Sequence, residues 1–335
     1  MKKIIYFVAL ATIFMFGCSK EKINEQQNND SYSSVKLITL SDGSKTSITM
    51  LEFSSINAYD STIKSFERQM ERLDDAFLAQ YDYLNDSLLN EKEEDVGFIY
   101  QQPLIDFENS LNFTNSMRQV FVVAEENWLD NDSLDMATDP SNTYIFSIAE
   151  MAMLNTGGEV KIGTSLLKLV KDGFVVFTDS DINKLIRFNN GDMTVLDEVN
   201  VVTSLNGDRG SCTWWKGKNY PHYYANKKKV IRHVHFHAYP WKGVSKAKIT
   251  SYKKRGSKWK KYRTNLGVAN QSYLRDRDCD PKIQGWTGWK YKRAKSIKKG
   301  FTVWGAFPGL RAENGKSVYG RFVYPGNSNT RVLAW

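Results

Sequence analysis

The chain has 335 residues, 41% of them hydrophobic and 25% charged, a balance that excludes a wholly disordered polymer; its three cysteines exclude a disulfide-dense scaffold. Its formal net charge of +9 conceals two opposed stretches: residues 19–204 carry 14 Lys and Arg against 32 Asp and Glu, a net of −18, whereas residues 205–335 carry 30 against 5, a net of +25. A uniformly basic body is thereby excluded, and a domain boundary is expected near 204–210, where Asn206-Gly207-Asp208 and Gly210 supply loop chemistry.

The chain opens on Lys2 and Lys3, then an apolar run from Ile4 to Phe16, then Gly17-Cys18. The apolar run is well short of the roughly 20 residues that a spanning helix needs. This arrangement resembles the lipobox of bacterial lipoproteins, which implies a signal peptide over 1–17 and lipidation of Cys18. Acyl chains contribute about 0.8 kcal/mol per buried methylene, so two or three of them hold a protein on a membrane. Ser19-Lys20-Glu21 is similar to the short charged tag that sends lipoproteins of some Gram-negative lineages to the cell surface. The implied location is the bacterial outer membrane, with surface exposure. Residues 18–34, rich in Asn, Gln, Ser, Lys and Glu, bury too little apolar surface to offset their ordering entropy and read as a flexible tether.

The acidic part, 35–204, begins with two expected strands, 35–40 and 46–53, around the turn Ser41-Asp42-Gly43-Ser44. Ile56, Tyr59, Ile63, Phe66, Met70, Leu73, Phe77, Tyr81, Leu84 and Leu88 then recur at three- and four-residue steps, which predicts a long helix over about 56–90 with one apolar stripe. The stripe suits either a helix of its own domain near 107–129 or a second copy of the chain in a homo-oligomer. Short strands are expected at 159–162, 165–170 and 174–178. The run LNTGGEVKIGTSLLKLVKDG, from Leu154 to Gly173, resembles a segment of uncharacterised surface lipoproteins of Gram-negative bacteria, which implies a location and no chemistry.

The basic part, 205–335, holds eight of the nine tryptophans and reads as strands at 230–239, 247–254, 258–266, 301–307 and 318–324, with a hairpin at Arg255-Gly256-Ser257. The expected class is α+β: an acidic helix-rich part, then a basic all-β sandwich or barrel. Cys212 and Cys279 pair in an oxidising envelope, closing a loop whose chain entropy is worth roughly 4 kcal/mol.

Candidate chemistry is sparse. His233, His235 and His237 alternate along one strand face, so neighbouring imidazoles are placed to share a metal ion, with His222, Asp276 or Asp278 as further ligands; the alternative is a solvated strand face. Asp276, Asp278 and Asp280 open like a calcium loop, but Pro281 and Thr287 stand where that loop needs Gly and Glu. Gly309–Ser317 has five residues between its glycines where a P-loop has four. No GxSxG or HExxH occurs, so a hydrolase with a cryptic or histidine-based metal site ranks third among the readings, and no cofactor is expected.

Lys and Arg interleaved with aromatics are distinctive. Lys253, Lys254, Arg255, Trp259, Lys261 and Arg263 lie on or around one hairpin, and Trp286, Trp289, Lys290, Lys292 and Arg293 form a second cluster. Such surfaces attract polyanions, and their rings stack on bases or sugars. The expected function is recognition of an anionic glycan, lipopolysaccharide or nucleic acid by the basic part of a membrane-anchored protein. The runner-up is an envelope assembly lipoprotein that pairs through the 56–90 helix. A further alternative is internal, with the acidic half itself occupying the basic surface as its counterion.

Overall fold

The hairpin at the start of the acidic part forms as β1 (Val35–Ser41) and β2 (Ser47–Phe53), paired antiparallel from Val35↔Phe53 to Ser41↔Ser47. The computed structural model describes residues 35–43, 46–142, 147–170, 173–203, 212–213, 215–275, 281–304, 311–313 and 318–333. They belong to one unit, Ser34–Trp335.

Helix α1 (Ile56–Tyr81) is started by Ser55, whose hydroxyl accepts from the Ala58 N–H at 3.1 Å. The expected stripe is its buried side: Tyr59, Ile63, Phe66, Met70 and Phe77. The helix stops before 90 because Asn85 caps a new helix, α2 (Asp86–Asp95), by accepting from Leu88 N–H at 3.1 Å. Next come α3 (Gln102–Ser110) and α4 (Met117–Leu129). The stripe meets this chain's own side chains, with Phe66 4.9 Å from Phe107 of α3 and Phe77 4.6 Å from Phe98 by ring centroids.

After the one-turn helix α5 (Ile148–Met151), β3 (Glu159–Ile162), β4 (Ser165–Val170) and β5 (Gly173–Phe177) follow where alternation placed them. Helix α6 (Ile182–Asn189) and β6 (Val201–Thr203) complete a six-stranded sheet in the order β1-β2-β3-β4-β5-β6, parallel only between β2 and β3.

The remainder is all β: β7 (Cys212–Thr213), β8 (Trp215–Ala225), β9 (Lys228–Ala238), β10 (Lys242–Arg255), β11 (Lys258–Lys261), β12 (Thr264–Arg275), β13 (Pro281–Trp286), β14 (Lys290–Ala294), β15 (Ser296–Trp304), β16 (Arg311–Glu313), β17 (Val318–Tyr324) and β18 (Asn327–Leu333). Five strands form one sheet, β11-β10-β9-β8 with β15 beside β11 along the same edge of β10. Seven form another, β18-β17-β12-β16-β7, with β13 and β14 along the opposite edge of β12. The fold is α+β with an all-β C-terminal part, and that part is a sandwich.

Between the two sheets Val234, Phe236 and Ile249 pack on Leu266, Val268 and Phe322. Full burial of such side chains is worth about 1.5–3 kcal/mol each. The other face of the five-stranded sheet is covered as well. Trp128 of α4 packs with Ile231, Tyr252 and Trp259, and Phe174 of β5 stacks on Tyr239 at 4.9 Å. The five-stranded sheet is therefore a middle layer, and β9 is buried along both faces.

Candidate ligand-binding face

The basic hairpin expected to meet a polyanion is met by the chain's own carboxylates. Arg263 is 2% exposed and donates to Asp74 of α1 at 2.8 Å and to Glu93 of α2 at 3.1 Å. Burial alone lowers a guanidinium, yet Asp74 and Glu93 outweigh it and hold Arg263 above its ordinary value. Asn90 clamps the same turn: its Oδ1 accepts from the Arg263 N–H at 2.8 Å and its Nδ2 donates to the Arg263 carbonyl at 3.0 Å.

Around this junction Lys261 pairs with Glu125 at 2.6 Å, Arg255 with Glu94 at 3.0 Å, and Lys254 with Asp132. In the second cluster Lys290 pairs with Glu71 at 2.5 Å, Lys292 with Asp74 and Asp75 at 2.6 Å, and Arg293 with Asp86 at 2.7 Å. Trp259 is buried and donates from Nε1 to the Asp132 carbonyl at 3.0 Å. Lys253 lies 5.1 Å above the Tyr262 ring. The basic surface expected of these nine residues is thus engaged within the chain, its cations pairing with carboxylates of α1, α2, α4 and the segment after α4.

The histidine row lies on the face of β9 that the helices cover. His233, His235 and His237 are 7%, 4% and 0% exposed, so the solvated-face alternative does not hold. Their ring centroids are 5.0 and 5.4 Å apart. Among the described residues no group of three or more His, Cys, Asp or Glu is placed to hold a metal ion. Burial first, then Lys248, pushes His233 down to about 3, and burial with the neighbouring imidazoles and lysines holds His235 well below the ordinary imidazole value. His222 stands apart, 5.5 Å from the Tyr324 ring. Cys212 is on β7; Cys18, Asp276, Asp278, Cys279 and Asp280 lie outside the described residues.

Two expected residues, Trp286 and Trp289, lie elsewhere, on the outer face of the seven-stranded sheet. The register puts Gly267, Gln271 and Tyr273 of β12 on that face beside Tyr291 of β14, Trp286 of β13, and Tyr319 and Arg321 of β17. Tyr291 lies against the backbone of Gly267, where a Cβ would come within 2.6 Å of its ring; only glycine leaves that room. Trp289 stacks on Tyr291 at 5.5 Å and 20°, and Trp286 meets Trp289 edge-on at 6.5 Å. The Arg321 guanidinium sits 5.4 Å over Trp286, and its Nε has no hydrogen-bond partner among the described residues. Beyond it Arg331 of β18 lies 3.9 Å over Tyr319, which meets Tyr273 edge-on at 6.2 Å.

Trp286 is 48% exposed and Tyr291 62%. Residues 215–275, 281–304 and 318–333 contain no Asp or Glu, so these strands offer a ligand rings and guanidiniums without competing carboxylates. Such a face is suited to stack on sugar rings while arginines grip acidic substituents bidentately. Sequence reasoning missed Tyr273, Tyr319, Arg321 and Arg331. The signal for Tyr319 and Arg321 is the alternation in Val318-Tyr319-Gly320-Arg321-Phe322, whose even positions are the buried ones.

No family model matches the chain, and no curated protein matches it. A solved structure to which it is similar is the crystal structure of a DUF4848 family protein from Bacteroides thetaiotaomicron, 12% identical, covering 89% of this chain and 100% of that one with a TM-score of 0.18. A TM-score that low carries no argument about fold or function.

Proposed function

We propose that the chain is an exported lipoprotein, anchored through Cys18 to the bacterial outer membrane and exposed at its surface, whose sandwich binds an anionic glycan on the outer face of the seven-stranded sheet. The observation that carries the reading is the exposed Trp286–Trp289–Tyr291 stack beside Arg321, on strands that supply no carboxylate. Rings that stack on a flat ligand face contribute about 1–3 kcal/mol each by alanine substitution, and an exposed cation–π pair about 0.5–1 kcal/mol. The ionic part of such binding weakens with salt, whereas the stacking part persists. Anchoring rests on the leader and Cys18; among the described residues no helix is long and apolar enough to cross a membrane.

The test is titration of the purified chain with uronic or sulfated glycans, a neutral glycan of matched length, lipopolysaccharide and DNA, at low and at physiological salt. The reading requires saturable binding of the acidic glycans that survives physiological salt and exceeds binding of the neutral one. Binding of every polyanion that disappears with salt contradicts it.

A further inference from the structure

The outer face of the seven-stranded sheet carries its positive charge in one chemical form. Residues 205–335 contain 20 lysines and 10 arginines, yet β12, β17 and β18 contain no lysine, and the cations they place on that face are guanidiniums. Arg321 of β17 stands directly across from Arg331 of β18. No described carboxylate pairs with either side chain. Like charges at directly opposed positions of a sheet repel, so an anion between the two guanidiniums removes a repulsion that the empty face carries.

Both arginines lean toward one row of side chains. Trp286, Gln271, Tyr319 and Leu333 are cross-strand neighbours on β13, β12, β17 and β18, and three strand steps make that row about 14 Å long. Arg331 lies 3.9 Å over the Tyr319 ring, and Arg321 lies 5.4 Å over Trp286. To reach Trp286, Arg321 passes over Ala269, its partner on β12, whose methyl leaves the way open. Rings and guanidiniums therefore alternate across the strands: Trp286, Arg321, Tyr319, Arg331. Gln271 donates from Nε2 to the Tyr273 hydroxyl at 2.8 Å, which leaves its Oε1 to accept from a sugar hydroxyl.

Two opposed guanidiniums suit a sulfate ester better than a carboxylate. A carboxylate has two oxygens, and the fork of one guanidinium takes both of them. A sulfate ester has three terminal oxygens, so two guanidiniums can share it without competing for the same pair. Guanidinium is also more weakly hydrated than ammonium, which matches it to the weakly hydrated sulfate ester, whereas lysine matches the strongly hydrated carboxylate and phosphate. The lack of lysine in these three strands selects in the same direction.

Given that this face is the glycan site, the reading on which the inference rests, we propose that its ligand is a sulfated glycan. The oligosaccharide lies across the strands with its rings on Trp286 and Tyr319, and one sulfate ester is shared by Arg321 and Arg331.

The experiment measures the affinity of the full chain, at neutral pH and physiological salt, for three oligosaccharides of equal length on one backbone: oligogalacturonate, and counterparts with a sulfate ester or a phosphate monoester in place of each carboxylate. The sulfated form is expected to bind at least about tenfold more tightly than either of the others, equivalent to roughly 1.4 kcal/mol. Arg331 is exposed, so Arg331→Lys keeps the fold and the charge while losing the planar fork, and it is expected to bring the preference for sulfate over carboxylate below about threefold. No saturable binding of any of the three overturns the glycan site and the sulfate assignment together. Equal affinities, or tighter binding of the carboxylate or the phosphate, leave the glycan site standing and overturn the sulfate assignment, as does a preference that Arg331→Lys leaves unchanged.

Discussion

Arg263, between β11 and β12, donates from Nη2 to Oδ1 of Asp74 on α1 at 2.8 Å, joining positions 189 residues apart. Both side chains are buried, at 2% and 7% exposure. A buried pair of this kind adds little net stability, because desolvation offsets attraction, but losing one partner strands the other. Arg263→Ala takes the guanidinium from Asp74 and Glu93, which keep Lys292 at 2.6 Å and Lys295 at 2.7 Å, so its expected cost in denaturant unfolding is about 2–3 kcal/mol, below the roughly 3–5 kcal/mol of a fully stranded buried charge. Arg255→Ala removes a pair with Glu94 that is open to water, and the expected cost is under about 1 kcal/mol. Equal costs for the two variants contradict the assignment of Arg263 as the central tie.

The histidine row makes the fold acid-sensitive. His233 titrates at about 3 in the folded chain against 6.5 as an ordinary imidazole, and burial holds His235 and His237 low too. Between those values the unfolded chain binds protons that the folded chain refuses, so stability is complete above about pH 6.5 and falls as pH drops, by roughly 1.4 kcal/mol per unit for each such histidine. Unfolding midpoints measured from pH 8 to pH 4 in phosphate-free buffer should decline steeply below pH 6.5, and His235→Leu should flatten the decline. A flat profile over that range is incompatible with three buried neutral imidazoles.

Gly267 supports the outer aromatic stack. A methyl there meets the Tyr291 ring at 2.6 Å and Val323 Cβ at 2.9 Å. Gly267→Ala is expected to cost about 1–3 kcal/mol in stability through overpacking and to shift the tryptophan emission of the Trp289–Tyr291 stack. Unchanged emission and unchanged stability show that Tyr291 does not lie against β12.

Helix α1 depends on its first turn. Ser55 accepts from Ala58 N–H, so Ser55→Ala should cost about 1 kcal/mol and Ser55→Gly only a few tenths, read by chemical denaturation. A larger loss with glycine than with alanine points to backbone entropy instead of the cap.

Much of the fold was legible because each element carries a local signal. The β1–β2 turn, the α1 stripe and the β3–β5 alternation sit where periodicity placed them. The division of α1 from α2 was written as Asn85-Asp86, a cap inside an apolar repeat that continues past it. Strands β6, β7, β8, β13, β14, β16 and β18 escaped notice, and the one strand expected over 258–266 is β11 and the first residues of β12; short or Lys-, Gly- and Asn-rich edge strands lack an apolar rhythm. The candidate face was half legible. Trp286 and Trp289 stand out by type, but whether a lysine or arginine is free depends on partners far away in sequence, as Glu94 is from Arg255. The opposed charges of −18 and +25 carried that information in aggregate, without saying which residues meet.

The central claim is that the outer face of the seven-stranded sheet, not the paired basic hairpin, holds the ligand. The most direct measurement compares acidic-glycan affinity at physiological salt for the unaltered chain, Trp286→Ala, Arg321→Ala and Lys254→Ala. Loss of the Trp286 ring or the Arg321 guanidinium is predicted to weaken binding by about tenfold or more, equivalent to at least ~1.4 kcal/mol, while Lys254→Ala leaves it within about twofold. Affinity that survives Trp286→Ala and Arg321→Ala but falls with Lys254→Ala contradicts the account and returns the ligand to the hairpin.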